Sequence, residues 1–361
     1  MRTLQIGNLI ARLPIIQGGI GIGVSLSGLA AAVANEGGIG VISATGLSLL
    51  YAKASDNYVN AGNYGLTEEI RKAREKSDGI IGVNIMVALT NFTELVKTSI
   101  AEKVDILFCG AALPLDLPSF LKKGDITKLV PIVSSARAAK LICQKWANSY
   151  QYLPDAIVLE GPKAGGHLGY KESQLEVPSF SLEAQLPLVI AEVSSFEEKY
   201  NKSIPVIAAG GIYTGEDIYR MMELGASGVQ LGTRFVATDE CDADIAFKEA
   251  YVNASQQDIR IIKSPVGMPG RAIHSPFLQK AKDGTEHPKH CPFHCIRTCD
   301  INTSPYCIAI ALYNAYKGNF EKGFAFAGSN AFRVERITSV KETIKELISE
   351  FQKSSEAAES E

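Results

Sequence analysis

His167 stands apart from the other four histidines, which fall between His274 and His294, and it follows the glycine pair Gly165-Gly166. Imidazole is the side chain best suited to exchange a proton near neutral pH. A histidine in a glycine-rich loop therefore reads as a catalytic base or proton donor. Other glycine pairs occur at Gly18-Gly19, directly after Gln17, and at Gly210-Gly211, and a further glycine loop is Gln230-Leu231-Gly232-Thr233. Without a Cβ, such loops let the backbone approach a ligand closely and turn its amides onto phosphate oxygens. Asn84, within Gly82-Val83-Asn84-Ile85, offers both a donor and an acceptor, to a ligand or to the loop itself. Glu160 lies three residues before Lys163, close enough for an ion pair across the loop that leads to His167.

A second group of reactive side chains lies later in the chain. Cys109, Cys143 and Cys241 are scattered, but Cys291, Cys295, Cys299 and Cys307 fall within 17 residues. Four thiols at intervals of four, four and eight have the number needed for a [4Fe-4S] cluster. Zinc held by some of them with His287, His290 or His294 is the other metal reading. As small hydrophobes in a reduced segment they would need no ion. Such dense clustering by chance is uncommon, so a metal or cluster site is the expectation.

The glycine loops all follow short apolar runs rich in valine and isoleucine. Eight such runs can be read as strands: Leu13 to Gln17, Ile39 to Ser43, Ile80 to Met86, Asp105 to Cys109, Val130 to Ser134, Ala156 to Glu160, Pro205 to Ala209 and Gly228 to Leu231. Each is followed by a turn and a longer amphipathic or small-residue segment, the pattern of parallel strands joined by crossover helices. Eight units predict a (β/α)8 TIM barrel, whose active site lies at the carboxyl ends of the strands and whose phosphate site lies after strands seven and eight. The pairs at 210–211 and 232–233 fall at that point.

Helix signals support this reading. Ser25 and Ser27 are candidate N-caps for a helix through Leu29 to Val33 that stops at Gly37, and Glu68 to Lys76 places Glu68 four residues before Lys72. From Asp239 to Phe320 the rhythm breaks into a polar stretch rich in proline, histidine and cysteine. The expected organisation is a barrel over 1–238, an inserted lid, mostly irregular or helical, over 239–322, a return segment and closing helix (Thr338 to Gln352) over 323–353, and a frayed tail over 354–361.

Composition sets the outer limits. With 46% hydrophobic and 21% charged residues the chain has ample core-forming material, and 36 basic against 39 acidic residues give no footprint for nucleic acid or an anionic membrane. A small-molecule substrate is the expectation. The apolar stretch Ile15 to Leu50 is too broken by glycine for a membrane span and lacks a secretory signal pattern, so cytoplasm is the default location. The oligomeric state is open, a homodimer included. No Gly-x-Gly-x-x-Gly fingerprint of a separate nucleotide domain is present.

Together these pieces resemble the nitronate monooxygenase (2-nitropropane dioxygenase) family, which includes flavin-dependent enoyl-acyl-carrier-protein reductases. The resemblance is carried by Pro14-Ile15-Ile16-Gln17-Gly18-Gly19, Gly82-Val83-Asn84, Ala164-Gly165-Gly166-His167, Ala208-Ala209-Gly210-Gly211-Ile212 and Gln230-Leu231-Gly232-Thr233, in the family's order over residues 14–233. It implies a barrel that binds FMN, with the phosphate end near Asn84, Gly210, Gly211 and Gln230 to Thr233, and with His167 as base or proton donor. The cofactor-binding set so read is Gln17, Gly18, Gly19, Asn84, Glu160, Gly165, Gly166, Gly210, Gly211, Gln230, Leu231, Gly232 and Thr233. Two activities are implied. In one, a nitronate gives an electron to the flavin and oxygen completes the reaction; in the other, NAD(P)H is the reductant and an enoyl thioester or quinone the acceptor. Where many members carry glutamine after a Leu-Pro pair, this chain has Leu186-Pro187-Leu188. Ser264 to Arg271 and Ala327 to Asn330 resemble loops on the substrate side.

Overall fold

The computed structural model describes residues 1–288, 290, 291 and 293–360. Eight parallel strands run in chain order: β1 (Ile15–Gln17), β2 (Gly40–Ser43), β3 (Ile81–Met86), β4 (Ile106–Gly110), β5 (Lys128–Val133), β6 (Ile157–Glu160), β7 (Val206–Ala209) and β8 (Gly228–Leu231). Every boundary lies within two residues of the sequence expectation. Each strand pairs with its sequence neighbour, and β8 pairs back onto β1. The β1–β2 seam closes through a single parallel bridge, Ile16 to Ile39. The result is a TIM barrel.

Strands buried on both faces explain the unbroken apolar runs. One set of side chains, including Ile16, Val41, Phe108, Val130, Val158 and Ile207, fills the lumen, while Ile15, Leu159, Ala208 and Val229 pack outward with the surrounding helices. Those crossovers are α1 (Ser27–Asn35), α2 (Tyr58–Lys76), α3 (Phe92–Ala101), α4 (Ala136–Tyr150), α5 (Leu182–Tyr200) and α6 (Gly215–Glu223). A hairpin of Leu4–Ile6 and Leu9–Ala11, turning at Gly7-Asn8, adds Leu4, Ile6 and Ala11 to the lumen core. It covers apolar surface that an open barrel end would leave to water.

Several local expectations are corrected by contacts distant in sequence. Helix α1 is not capped by Ser25 or Ser27: Leu26 occupies the N-cap without a side-chain bond. Instead the Asp242 carboxylate accepts the amides of Leu26, Gly28 and Leu29, and Glu69 accepts that of Ser27. Ser25 Oγ accepts the Ile20 amide at 2.8 Å. Carboxylates 42 and more residues away thus do the work of a local cap. Helix α2 begins at Tyr58, ten residues before the expected start, and Lys72 pairs with Glu69 at 3.3 Å in place of Glu68. Glu69 is the better partner because it is buried and also accepts the Tyr51 hydroxyl.

After β8 come the one-turn helix α7 (Thr233–Val236) and the insertion. Besides helices, including α8 (Ile308–Tyr316), the insertion holds an antiparallel hairpin of β9 (Ile259–Lys263) and β10 (Pro269–Ile273). The free edge of β10 pairs with Gly166-His167. The closing helix α9 (Val340–Glu359) begins two residues late and runs through the expected tail, where alanine and glutamate favour helix; Glu361 lies outside the described residues. Among the described residues no helix is long and apolar enough to cross a membrane.

Candidate active site

The carboxyl ends of the strands open into a cleft of about 240 Å³. Its walls include Gly18, Gly19, Asn84, Glu160, Gly165, Gly166, His167, Gly210, Gly211, Gln230, Leu231, Gly232 and Thr233. Gln17 is absent from them. It is fully buried at the barrel seam, where its Oε1 accepts the Val41 amide at 3.0 Å and its Nε2 donates to Gly18 O. With only one bridge joining β1 to β2, the glutamine side chain satisfies backbone that a longer strand pair would have satisfied.

The phosphate-type cradle lies at the ends of β7 and β8. Gly210 and Gly211 have φ of +93° and +87°, in the left-handed region that glycine occupies readily. A Cβ on Gly210 would lie 2.8 Å from Gly161 O, and one on Gly211 would lie 2.7 Å from Lys163 Cβ. Asn330 Nδ2 donates to Gly211 O at 2.7 Å, fixing the orientation of that peptide. Among the described residues, the amides of Gly211, Ile212 and Gly232 donate to no backbone acceptor. The donor set and the absence of side chains fit the phosphate end of a mononucleotide. On the wall of the same cleft, Gly19 leaves room for Asn84, whose Cβ lies 2.4 Å from where a Gly19 Cβ would stand.

His167 lines the same cleft. Its Nε2 lies 2.7 Å from Ser264 Oγ, and its ring meets Phe326 edge-on at 4.9 Å. Burial lowers its pKa to about 4, so the imidazole is neutral at pH 7. The loop before it is pinned by Arg271, a buried guanidinium on β10 whose Nη1 donates to Pro162 O and Ala164 O at 2.6 and 2.7 Å. Glu160 faces the cleft from the end of β6, and burial raises its carboxyl to about 7. The expected Glu160–Lys163 pair does not form among the described residues: Lys163 is exposed to solvent, and no ion pair joins the two.

Glu160 therefore has a pH signature. The folded protein keeps its proton until about pH 7, whereas an ordinary glutamate releases it near 4.5. The fold binds the extra proton between those values, so Glu160 makes stability fall as pH rises through them, and the cost persists above. Glu160→Gln is expected to have a higher Tm than the parent at pH 8 and a similar one at pH 5. Equal offsets at both pH values in thermal melts would contradict this assignment.

The four late cysteines come together beside the loop after β3. Cys295 O accepts the Thr90 amide at 3.1 Å, Ile296 bridges to Leu89, and Cys307 stands at the N-cap of α8. Burial and the neighbouring thiols of Cys307, Cys291 and Cys299 push the Cys295 thiol up to about 12. Nevertheless, among the described residues no three histidine, cysteine or acidic side chains are arranged to hold a metal ion. Cys299 Sγ lies 3.3 Å from Ser304 Oγ.

Further wall residues were not singled out in the sequence. Ser43, Thr45, Met86 and Ala111 lie at or just after the ends of β2, β3 and β4, where barrel geometry alone would direct attention. Tyr251, Leu312 and Phe326 come from the insertion and its return, and nothing in their local sequence marks them. Of the expected substrate-side loops, Ala327, Gly328 and Asn330 reach the cleft, while Ser264 reaches it through His167. Leu188 sits on α5, 54% exposed, and contributes nothing to the cleft wall.

An eight-strand barrel whose cleft holds both a phosphate-type cradle and a half-buried, neutral histidine has the architecture of a flavin-binding barrel enzyme. The family model described as nitronate monooxygenase matches residues 3–350, and the chain belongs to that family, one of FMN-dependent oxidoreductases. Among curated relatives, a (3aS,4S,5R,7aS)-5-hydroxy-7a-methyl-1-oxo-octahydro-1H-indene-4-carboxyl-CoA dehydrogenase of Rhodococcus jostii is 28% identical over 265 residues. That match covers 73% of this chain and 64% of the relative, so the chain spans less than two thirds of that relative's length. A probable nitronate monooxygenase of Staphylococcus aureus is 27% identical over 304 residues, covering 74% of this chain and 77% of the relative. Among solved structures, FabK from Thermotoga maritima superposes with a TM-score of 0.74 at 28% identity, covering 97% of this chain and 96% of that one.

Proposed function

We propose that the chain is an FMN-dependent oxidoreductase that oxidises alkyl nitronates or nitroalkanes, with His167 as the base. The observation that carries this is the placement of a neutral, half-buried imidazole on the wall of the cleft that the glycine cradle also lines. Gly210, Gly211, Gly232 and Thr233 would hold the FMN phosphate, with Asn84 and Glu160 also lining the cofactor cleft. FMN, when bound, supplies the electron acceptor. The protein supplies the rest. A neutral nitroalkane must lose its carbon proton to become oxidisable, and an imidazole that is unprotonated at pH 7 is ready to take it. Met86, Ile132, Leu312 and Phe326 give this part of the cleft an apolar lining that suits an alkyl chain.

A second reading, NAD(P)H-dependent reduction of enoyl thioesters or quinones, draws on the octahydroindene-carboxyl-CoA dehydrogenase among the relatives, whose name places a CoA thioester in its substrate. Anaerobic mixing separates the two. The first reading expects rapid bleaching of the flavin by a nitronate and slow bleaching by NADH or NADPH. Rapid reduction by either nucleotide with no response to nitronate would overturn it in favour of the second.

A further inference from the structure

We infer that Ser264 is the positioning residue of His167: it holds Nε2, so that Nδ1 is the nitrogen that exchanges a proton with the substrate. This rests on the reading of His167 as a base.

The Ser264 hydroxyl is well placed for such a role. Its residue is only 3% exposed, and its Oγ lies 2.7 Å from Nε2. The same oxygen accepts the Val266 amide at 3.2 Å, and Ser264 O accepts the Gly267 amide at 3.0 Å. The turn after β9 is thereby tied to itself. It is also held from outside by the cysteine-bearing segment: Thr298 Oγ1 donates to Val266 O at 3.2 Å and the Tyr306 hydroxyl donates to Lys263 O at 3.1 Å. The Tyr306 ring packs edge-on against Phe277 and Phe324 at 5.4 and 5.6 Å, so this brace is anchored in aromatic core. Thr298 and Tyr306 of the cysteine-bearing segment therefore support both flanks of the residue that touches the histidine.

From the other side, the His167 backbone pairs with Gly270 of the same hairpin and Phe326 closes one edge of the ring. The imidazole thus has little freedom to turn, and one nitrogen is already engaged. The proton transfer balances at the other. The substrate C–H bond breaks, its electron pair stays on the substrate as the nitronate, and the proton passes to the Nδ1 lone pair. The ring becomes positive in a buried place. Nε2–H then donates to Ser264 Oγ, which gives the charged ring an acceptor that it would otherwise lack.

The test compares Ser264→Ala, Ser264→Thr and His167→Ala as FMN-loaded enzymes. Anaerobic flavin reduction is followed with a primary nitroalkane and, separately, with its preformed nitronate, which needs no proton removed. Misplacing a base by about 1 Å costs up to roughly 100-fold. Ser264→Ala is expected to lose at least about tenfold more rate with the nitroalkane than with the nitronate, and Ser264→Thr to recover most of that difference. Equal losses with both substrates, or no recovery with threonine, would overturn the inference. A second measurement does not depend on turnover. In 15N-histidine spectra at pH 7, with His167 assigned by its disappearance in His167→Ala, Nδ1 is expected to be unprotonated in the parent and partly protonated in Ser264→Ala. A protonated Nδ1 in the parent, or identical spectra, would reject the role of Ser264. Failure of the parent to respond to either substrate would reject the nitronate reading instead and leave the spectral comparison standing.

Discussion

His167→Ala is expected to slow anaerobic flavin reduction by a nitroalkane by about 1,000-fold, within the range that a positioned acid or base contributes. The cofactor should remain bound, because the glycine cradle and Asn330 are separate from the His167–Ser264 pair. With a preformed nitronate the loss should be far smaller, since the step served by the imidazole has already occurred. The pH profile gives a second check. The base acts only when unprotonated, and burial holds its pKa at about 4. Nitroalkane-driven reduction by the parent should therefore be limited by His167 only as pH falls towards that value, and the variant should lack this limb. Similar nitroalkane rates in parent and variant would remove His167 from the chemistry.

Distance along the chain decides which features are legible in the sequence. The barrel was legible because each strand is short, apolar on both faces and followed by its own helix, so the signal lies within one β/α unit. Twelve of the thirteen expected cofactor residues line the cleft for the same reason: they sit at strand ends, and strand ends converge when a barrel closes. Gln17 is the instructive exception. It stands at a strand end, but at the seam of the barrel, and seam position is a property of the closed sheet, not of any local run.

Distant partners account for the other differences as well. A serine before a helix is a sound local signal for a cap, yet Asp242 reaches α1 across 213 to 216 residues and displaces it. Nothing around Asp242 advertises a helix terminus. The hairpin β9–β10 follows this pattern: its second strand owes part of its pairing to Gly166-His167, 103 to 105 residues away by number. Ser264 is marked in sequence only as part of a loop, and its contact with His167 appears once that hairpin is laid across the barrel mouth. The candidate base could thus be singled out from sequence, whereas the contacts that hold it required the fold.

Gly210→Ala is expected to yield folded protein with less than about a tenth of the parent's bound FMN, through two costs that can be separated. The first is conformational: at φ of +93° an alanine is strained by roughly 1–2 kcal/mol. The second is steric and more damaging. The new methyl carbon would stand 2.8 Å from Gly161 O and 3.1 Å from Gly161 N, backbone atoms of the loop that leads to His167. Neither can rotate away, so the Gly210-Gly211 turn must shift, carrying its amides off the phosphate. Hydrogen bonds to a charged group contribute roughly 1.5–3 kcal/mol each, so loss of two would weaken binding by about two to four powers of ten. Strand β7 ends at Ala209, and its core contacts remain, so the far-UV circular dichroism should be unchanged. Gly124→Ala isolates the first cost. Its φ is +99°, its Cβ would meet nothing within 4 Å, and it is not a cleft residue. Full flavin content in Gly124→Ala with loss in Gly210→Ala would assign the effect to the cradle; equal retention in both would refute a phosphate site after β7.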